Sequence, residues 1–376
     1  MRIREDDFFL GKRPWSLLKD RVLKDYMTPY LAKVARLGHP ILLIDGFAGP
    51  GEFVDGSSGS PLIMCEAAEQ YVPRRYHAVF VNRNPVFHRQ LSEALQQRGW
   101  LGAAEPVLGD ATDLLRQLPA DLGTHTTFIY LDPFGLRGCE FSLLEPLLQR
   151  DQRFSTEILL TLSAPIMHRL AARRASAKGQ QSERHIAAFH HRLTQVFGGE
   201  YWGDSLLRDH PDNDAKLQDL MSAYCAKLRS YLPYVGCCPV REGTSMRTKY
   251  YIVFASRHKD ALVLFNDIMM GAYEEHMFRT ANVGTLFAEA PWREFHTPHG
   301  LQEAILAAVR AHPGCNRDEI WLRVVEGKFM TYLHGEYLSA LEHLHQQEIL
   351  TYSKDPRTNR RNDNSTVSLR QCSSVA

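Results

Sequence analysis

The sequence predicts an α/β protein: a parallel sheet covered by helices on both faces, carrying a helical insertion and followed by a smaller, winged-helix-like unit. Three observations predict it. Short apolar runs alternate with amphipathic segments between residues 41 and 163. The first of these runs empties into a glycine-rich turn, "DGFAGPG", residues 45 to 51. Beyond residue 296 the alternation stops, and a helical triplet precedes two short strand-like segments. Apolar strands alternating with helices imply parallel pairing, because each crossover lays a helix on a face of the sheet.

The elements follow in order. In residues 14 to 37, Trp15, Leu18, Val22, Tyr26, Tyr30 and Val34 recur at three- and four-residue steps, one apolar stripe of a helix that covers a sheet face. Pro29 is expected to break or kink it. "ILLID" (41 to 45) is a buried strand, and "SPLIMCEAAEQY" (60 to 71) a helix with Ser60 as its expected cap. "HAVFVN" (77 to 82), "EPVLGD" (105 to 110), "TTFIYLDPFG" (126 to 135) and "TEILLTLS" (156 to 163) are further strands, separated by helical segments. Residues 164 to 245 read as a polar, partly helical insertion or lid. "KYYIVFAS" (249 to 256) and the helix after it read as the last strand–helix pair of the sheet. These readings divide the chain into a first domain, 1–295, and a winged-helix-like domain, 296–376, made of three helices and a hairpin.

Bulk properties exclude several classes. The 376 residues suffice for two domains, and 44% hydrophobic with 23% charged residues is a globular composition. No apolar run reaches membrane-spanning length, and the charged N-terminus has no signal-peptide core. A net charge of +1 names no partner, so a nucleic-acid argument rests on local basic patches. The seven cysteines form no CxxC pair, which argues against a zinc ribbon or disulfide scaffold and suits a reducing cytoplasm. The histidines have no paired-ligand spacing, so no metal site is expected.

A buried strand that ends in glycines lets a ligand approach the main chain. The order Asp45-Gly46-Phe47-Ala48-Gly49-Pro50-Gly51 lacks the GxGxxG of NAD enzymes and the lysine of a P-loop. It resembles motif I of class I S-adenosylmethionine-dependent methyltransferases, with Phe47 in place of the first glycine. The resemblance implies a Rossmann-like methyltransferase sheet. It also implies that Gly46, Phe47, Ala48, Gly49 and Gly51 line the cofactor, and that Asp45 accepts from its cationic amino group. Asn82 then stands where this fold usually has an acid for the ribose hydroxyls, and Asp110 with Ala111 lies where the adenine is held.

"DPFG", residues 132 to 135, resembles the [D/N/S]-P-P-[Y/F/W] turn of amino-methylating nucleic-acid enzymes, in the variant seen in tRNA guanine dimethyltransferases. The chemistry needs an acceptor for an exocyclic N–H, supplied by Asp132 and the Pro133 carbonyl, and an aromatic plane against the base, supplied by Phe134. Two basic stretches are candidate phosphate contacts: Arg169, Arg173, Arg174 and Lys178 after the fifth strand, and Lys354, Arg357, Arg360 and Arg361 in the C-terminal hairpin.

"WSLLKDRVLKDYMTPYL", "IDGFAGPG", "GSPL", "YLDPFG" and "YYIVFASRHKDAL" together resemble the three-Cys-motif partner family over most of residues 8 to 275. The resemblance implies a methyltransferase-like protein that works beside a radical-SAM-like protein bearing a three-cysteine motif. Two functions are therefore expected: methylation of an exocyclic amino group in RNA or DNA, or a non-catalytic adaptor that docks such a partner.

Overall fold

The computed structural model describes residues 14–171, 180–241, 247–280, 297–355 and 357–370. Helix α1 (Pro14–Val34) leads into strand β1 (Ile41–Asp45). There follow α2 (Ser60–Tyr71), β2 (Tyr76–Asn82), α3 (Pro85–Gln97), β3 (Ala104–Leu108), α4 (Ala111–Asp121), β4 (Thr126–Leu131), α5 (Phe141–Leu148) and β5 (Thr156–Ser163). Then come α6 (Ala164–Leu170), α7 (Gln180–Phe197), α8 (Trp202–Leu206), α9 (Asn213–Arg229), β6 (Tyr234–Val240), β7 (Tyr250–Ser256) and α10 (Lys259–Thr280).

The seven strands form one sheet in the order β3-β2-β1-β4-β5-β7-β6. β1 to β5 pair in parallel, whereas β7 runs antiparallel to both β5 and β6. This is the expected Rossmann-like methyltransferase sheet, mostly parallel, with the one reversed strand β7 that the sequence pattern does not mark. Reversal of β7 sets Tyr250 opposite Ser163, so the start of β7 joins the edge where β1, β2, β4 and β5 end. Both faces are buried: Leu43 of β1 packs into one apolar cluster with α1, α2 and α10, and its neighbours Leu42 and Ile44 into a second with α5 and α9. That is why these strands read as unbroken apolar runs.

Three local expectations need correction. α1 continues through Pro29. Its face of Leu18, Val22, Leu23, Tyr26, Met27, Tyr30 and Leu31 is buried against the sheet, and that burial outweighs the roughly 3 kcal/mol a mid-helix proline costs. The stretch read as an insertion up to residue 245 ends in a sheet strand, β6, preceded by α9 with Leu217, Leu220, Met221 and Tyr224 in the core. Much of it is thus the last crossover of the sheet. Ser60 is the first residue of α2 rather than its cap; Gly59 holds the cap position, and the Ser60 hydroxyl is used elsewhere.

The C-terminal unit consists of α11 (Pro298–Ala311), α12 (Arg317–Gly327), α13 (His334–Gln346) and a hairpin of β8 (Leu350–Tyr352) with β9 (Val367–Leu369). Asn316 and Glu319 form a reciprocal capping box at the start of α12. The unit is clasped to α10. Buried Asn266 donates to the Tyr332 carbonyl (2.9 Å) and accepts from the Met330 amide (2.8 Å). Phe329 stacks on Phe265, with ring centroids 6.4 Å apart and planes 2° from parallel. The same ring covers Gly236 of β6, where a Cβ would come within 2.4 Å of it. No described helix is long and apolar enough to cross a membrane.

Candidate active site

Every functional candidate in the sheet sits at its C-terminal edge. Parallel strands end together there, so polar residues just past each strand converge.

The glycine loop is locked from both sides. Asp45 is fully buried; Oδ1 accepts from the Phe47 amide (2.9 Å) and Oδ2 from the Ser60 hydroxyl (2.6 Å). Burial pushes its carboxyl up to about 7, against the downward pull of those two hydrogen bonds. The Gly46 amide donates to the Tyr130 carbonyl (3.0 Å), and the Ala48 amide to Val81 (2.9 Å). Gly51 has φ +86°, a left-handed conformation, and a Cβ there would lie 2.9 Å from Leu91 of α3. Phe47, where the motif usually has glycine, lays its ring on Gly138 (φ +86°), so close that a Cβ would sit 2.5 Å away. The glycine missing at 47 is thus matched by one in the loop after β4.

Asn82 ties the glycine loop to the neighbouring strand. Its two amide hydrogens go to the carbonyls of Ala48 (2.7 Å) and Gly49 (3.1 Å), and its Oδ1 accepts from the Asn84 amide (2.9 Å). The side chain clamps the glycine loop to the end of β2 with both amide hydrogens, and its Oδ1 keeps a second lone pair as an acceptor. Asp110 caps α4: Oδ1 accepts from the Thr112 amide (3.0 Å) and hydroxyl (2.7 Å), while Oδ2 pairs with Arg137 (2.9 Å) and faces Arg83 (4.0 Å). Partial burial raises its carboxyl, but the Thr112 hydrogen bonds and the two arginines outweigh it and hold the group below the usual range. Ala111 is buried beside Gly46.

Asp132 follows β4. Its Oδ2 forms an ion pair with Lys19 of α1 and accepts a long hydrogen bond from Tyr130 (3.4 Å). The Lys19 ammonium also lies 5.5 Å from the centre of the Tyr250 ring. Phe134 is 60% exposed, unusual for a phenylalanine. Together with Pro133 it walls two cavities. One, of about 220 Å³, is lined by Trp15, Lys19, Asp132, Gly51, Lys249 and Tyr250. The other, of about 160 Å³, is lined by Ala48, Asn82, Asp110, Phe87, Arg83 and Arg137.

The structure therefore brings Gly46, Phe47, Ala48, Gly49, Gly51, Asn82, Asp110, Ala111, Asp132, Pro133 and Phe134 to the lining of two adjoining cavities at one edge, whereas Asp45, fully buried at the end of β1, lines neither. It adds residues that sequence reading missed: Trp15, Lys19, Lys249, Tyr250, Arg83 and Arg137. A signal existed for the first pair. Trp15 and Lys19 are four residues apart, so they share a helix face, and Lys19 interrupts an apolar stripe.

The basic stretches are placed differently. Arg169 is exposed near the end of α6, one short helix beyond β5. Arg173, Arg174 and Lys178 lie outside the described residues. Lys354, Arg357 and Arg360 are exposed in the loop between β8 and β9. Arg361, contrary to expectation, is not free for a ligand: it pairs with Glu342 (3.1 Å), donates to the Tyr352 carbonyl (3.1 Å) and lies over the Tyr352 ring. Among the described residues no cluster of His, Cys, Asp and Glu could hold a metal ion.

The strand order is that of a Rossmann-like methyltransferase fold, with the two cavities at its C-terminal edge. No protein-family model and no curated protein matches the chain. Similar solved structures include an O-methyltransferase from Bacillus cereus in complex with SAH (13% identity, 66% of this chain and 94% of that one, TM-score 0.33). They also include M. jannaschii TYW2 in complex with AdoMet (11%, 61% and 74%, 0.28) and spermidine synthase from Thermotoga maritima (9%, 71% and 71%, 0.35).

Proposed function

We propose that the protein is an S-adenosylmethionine-dependent methyltransferase acting on an exocyclic amino group of a base in RNA or DNA. The observation that carries this reading is the shared wall. Pro133 and Phe134 stand between a cavity beside Asp110 and Asn82 and one that is rich in aromatic side chains and holds the Asp132 carboxylate, with the glycine loop bordering both. A methyl donor on one side and a base on the other meet at that wall, and positioning then supplies most of the rate.

The residues suit the cofactor. The glycine loop packs tightly on β4, where a Cβ on Gly46 would come within 2.7 Å of Leu131. Asp45 and Asp110 are acceptors for an ammonium and an adenine amino group, and no phosphate-binding lysine occupies the loop. The bound cofactor supplies an electrophilic methyl on a sulfonium. On the acceptor side, Asp132 and the Pro133 carbonyl take hydrogen bonds from the two amino hydrogens, which turns the nitrogen lone pair toward the donor. Lys19 holds the Asp132 carboxylate in place, and Phe134 stacks on the base. The winged-helix-like unit, 296–376, is read as a second domain beside the methyltransferase-like 1–295, with Lys354, Arg357 and Arg360 toward phosphates.

One observation favours a second reading. β2 ends in Asn82, already committed to the loop, so no carboxylate awaits the ribose at that position. That suits a non-catalytic adaptor for a three-Cys-motif partner. Calorimetric titration with S-adenosylmethionine, followed by a tritiated-methyl screen over tRNA, rRNA, DNA and protein, separates the two. Heat and transfer support the enzyme; no heat, together with a stable complex on co-expression with such a partner, supports the adaptor.

A further inference from the structure

Two arginines at the mouth of the second cavity have no part in the reading above. Arg83 directly follows β2, and Arg137 lies in the loop between β4 and α5. They come from different strand ends and converge on a single carboxylate oxygen, Asp110 Oδ2, at 4.0 Å and 2.9 Å. The other oxygen of Asp110 is taken up by the Thr112 amide and hydroxyl. Two guanidinium groups thus face one carboxylate, leaving one excess positive charge. Among the described residues neither has a second acidic partner within ion-pair distance. Both remain open to solvent, Arg83 at 71% and Arg137 at 55% side-chain exposure. Both line the same cavity as the exposed Phe134 ring.

We infer that Arg83 and Arg137 form an anion clamp that takes a phosphate group of the acceptor beside the stacked base. This rests on the nucleic-acid methyltransferase reading and extends it to a site outside both basic stretches of the sequence. The chemistry selects phosphate. Guanidinium forks bind phosphate oxygens in pairs, and two forks from separate loops match a tetrahedral anion with several acceptors. Phe134 borders both cavities, so a base stacked on it from the first cavity carries its phosphate along the shared rim toward the second, where these groups stand. The phosphate belongs to a polynucleotide backbone or to a free mononucleotide; the shared chemistry is a phosphate ester.

The test uses the full chain and mixed-sequence, fluorescein-labelled single-stranded RNA and DNA 12-mers. Fluorescence anisotropy gives affinity against sodium chloride concentration, for the wild type, for the Arg83→Ala/Arg137→Ala double variant and for the double lysine variant. Each phosphate that a single strand no longer has neutralised by the protein lowers the slope of log K against log salt by about 0.7, so the alanine pair, which removes one clamped phosphate, is expected to lower it by about 0.7 while the lysine pair retains it. Both side chains are exposed, so the fold survives, and calorimetric S-adenosylmethionine affinity, measured on each variant, separates loss of the phosphate contact from a disturbed Asp110. Competition by AMP and by inorganic phosphate distinguishes the sources: displacement only by unlabelled oligonucleotide assigns a backbone phosphate, and displacement by AMP that the alanine pair abolishes assigns a mononucleotide. An unchanged slope overturns the inference, as does a slope change matched by the lysine pair. A loss confined to S-adenosylmethionine affinity overturns it too, making the arginines part of the cofactor site. No cofactor heat in the wild type sinks the methyltransferase reading and leaves the salt slope to judge the clamp by itself.

Discussion

Replacing Asp45 by Asn tests the electrostatics on which the glycine loop depends. The Asp45 carboxyl is fully buried, and burial pushes it from 3.8 up to about 7. For an acid raised in this way the folded state holds its proton more tightly than the unfolded chain, so stability is greatest at low pH and is lost as pH climbs from about 4 toward 7. At 1.36 kcal/mol per unit the full separation is worth about 4 kcal/mol, of which about 3 kcal/mol falls between pH 5 and pH 8. Asn keeps an oxygen for the Phe47 amide and turns its NH₂ to the Ser60 hydroxyl, the same two contacts that Asp45 makes. Asp45→Asn is therefore expected to gain about 3 kcal/mol on the wild type between pH 5 and pH 8 in urea unfolding. The wild type has a second contributor of the same sign, since burial also raises Glu157 to about 7; subtracting the two proteins removes it. Under the proposed function the gain comes at a cost, because the carboxylate proposed to face the S-adenosylmethionine ammonium is lost. Wild-type affinity for S-adenosylmethionine should rise through pH 7, and the Asn variant should bind weakly at every pH. An equal stability difference between the two proteins at pH 5 and pH 8 would refute the argument, since a burial penalty on charge cannot be independent of ionisation.

Other perturbations read separate parts of the molecule. Phe134→Ala removes a largely exposed ring and should abolish methyl transfer while leaving cofactor affinity and thermal stability intact; unchanged turnover would show that the ring does not hold the acceptor. Gly138→Ala forces a left-handed residue to carry a Cβ against the Phe47 ring and should cost about 2 kcal/mol, partly recovered by adding Phe47→Leu, a coupling that a double-mutant cycle measures. Asn266→Ala leaves the Tyr332 carbonyl and Met330 amide unpaired in a buried clasp, for about 2–4 kcal/mol, and should make the C-terminal unit sensitive to limited proteolysis; resistance equal to wild type would count against the clasp.

Much of the edge was legible because its determinants are local. "ILLID" and "TTFIYL" are long enough apolar runs to announce buried strands, and glycines or Asp-Pro directly after them announce turns at the same edge. β6 was not legible: "YVGCCPV" has a glycine, a proline and alternating exposure, and only pairing with β7 makes it a strand. Pro29 misled for a related reason, since its cost is local and the packing that outweighs it is not. For Asn82 the sequence located the residue at the end of β2, but not the two hydrogen bonds by which it holds the carbonyls of Ala48 and Gly49, since those partners lie more than thirty residues away.

By itself the sequence determined the alternation of strands and helices, the open glycine turn after β1 and the Asp-Pro-Phe turn after β4, because each is written in neighbouring residues through periodicity and backbone freedom. Only the tertiary structure decided that β7 runs backwards, that Lys19 from the first helix meets Asp132, and that Arg83 and Arg137 share one carboxylate. Those partners are separated by tens to more than a hundred residues. Their meeting depends on how the sheet orders its strands, which no local pattern records.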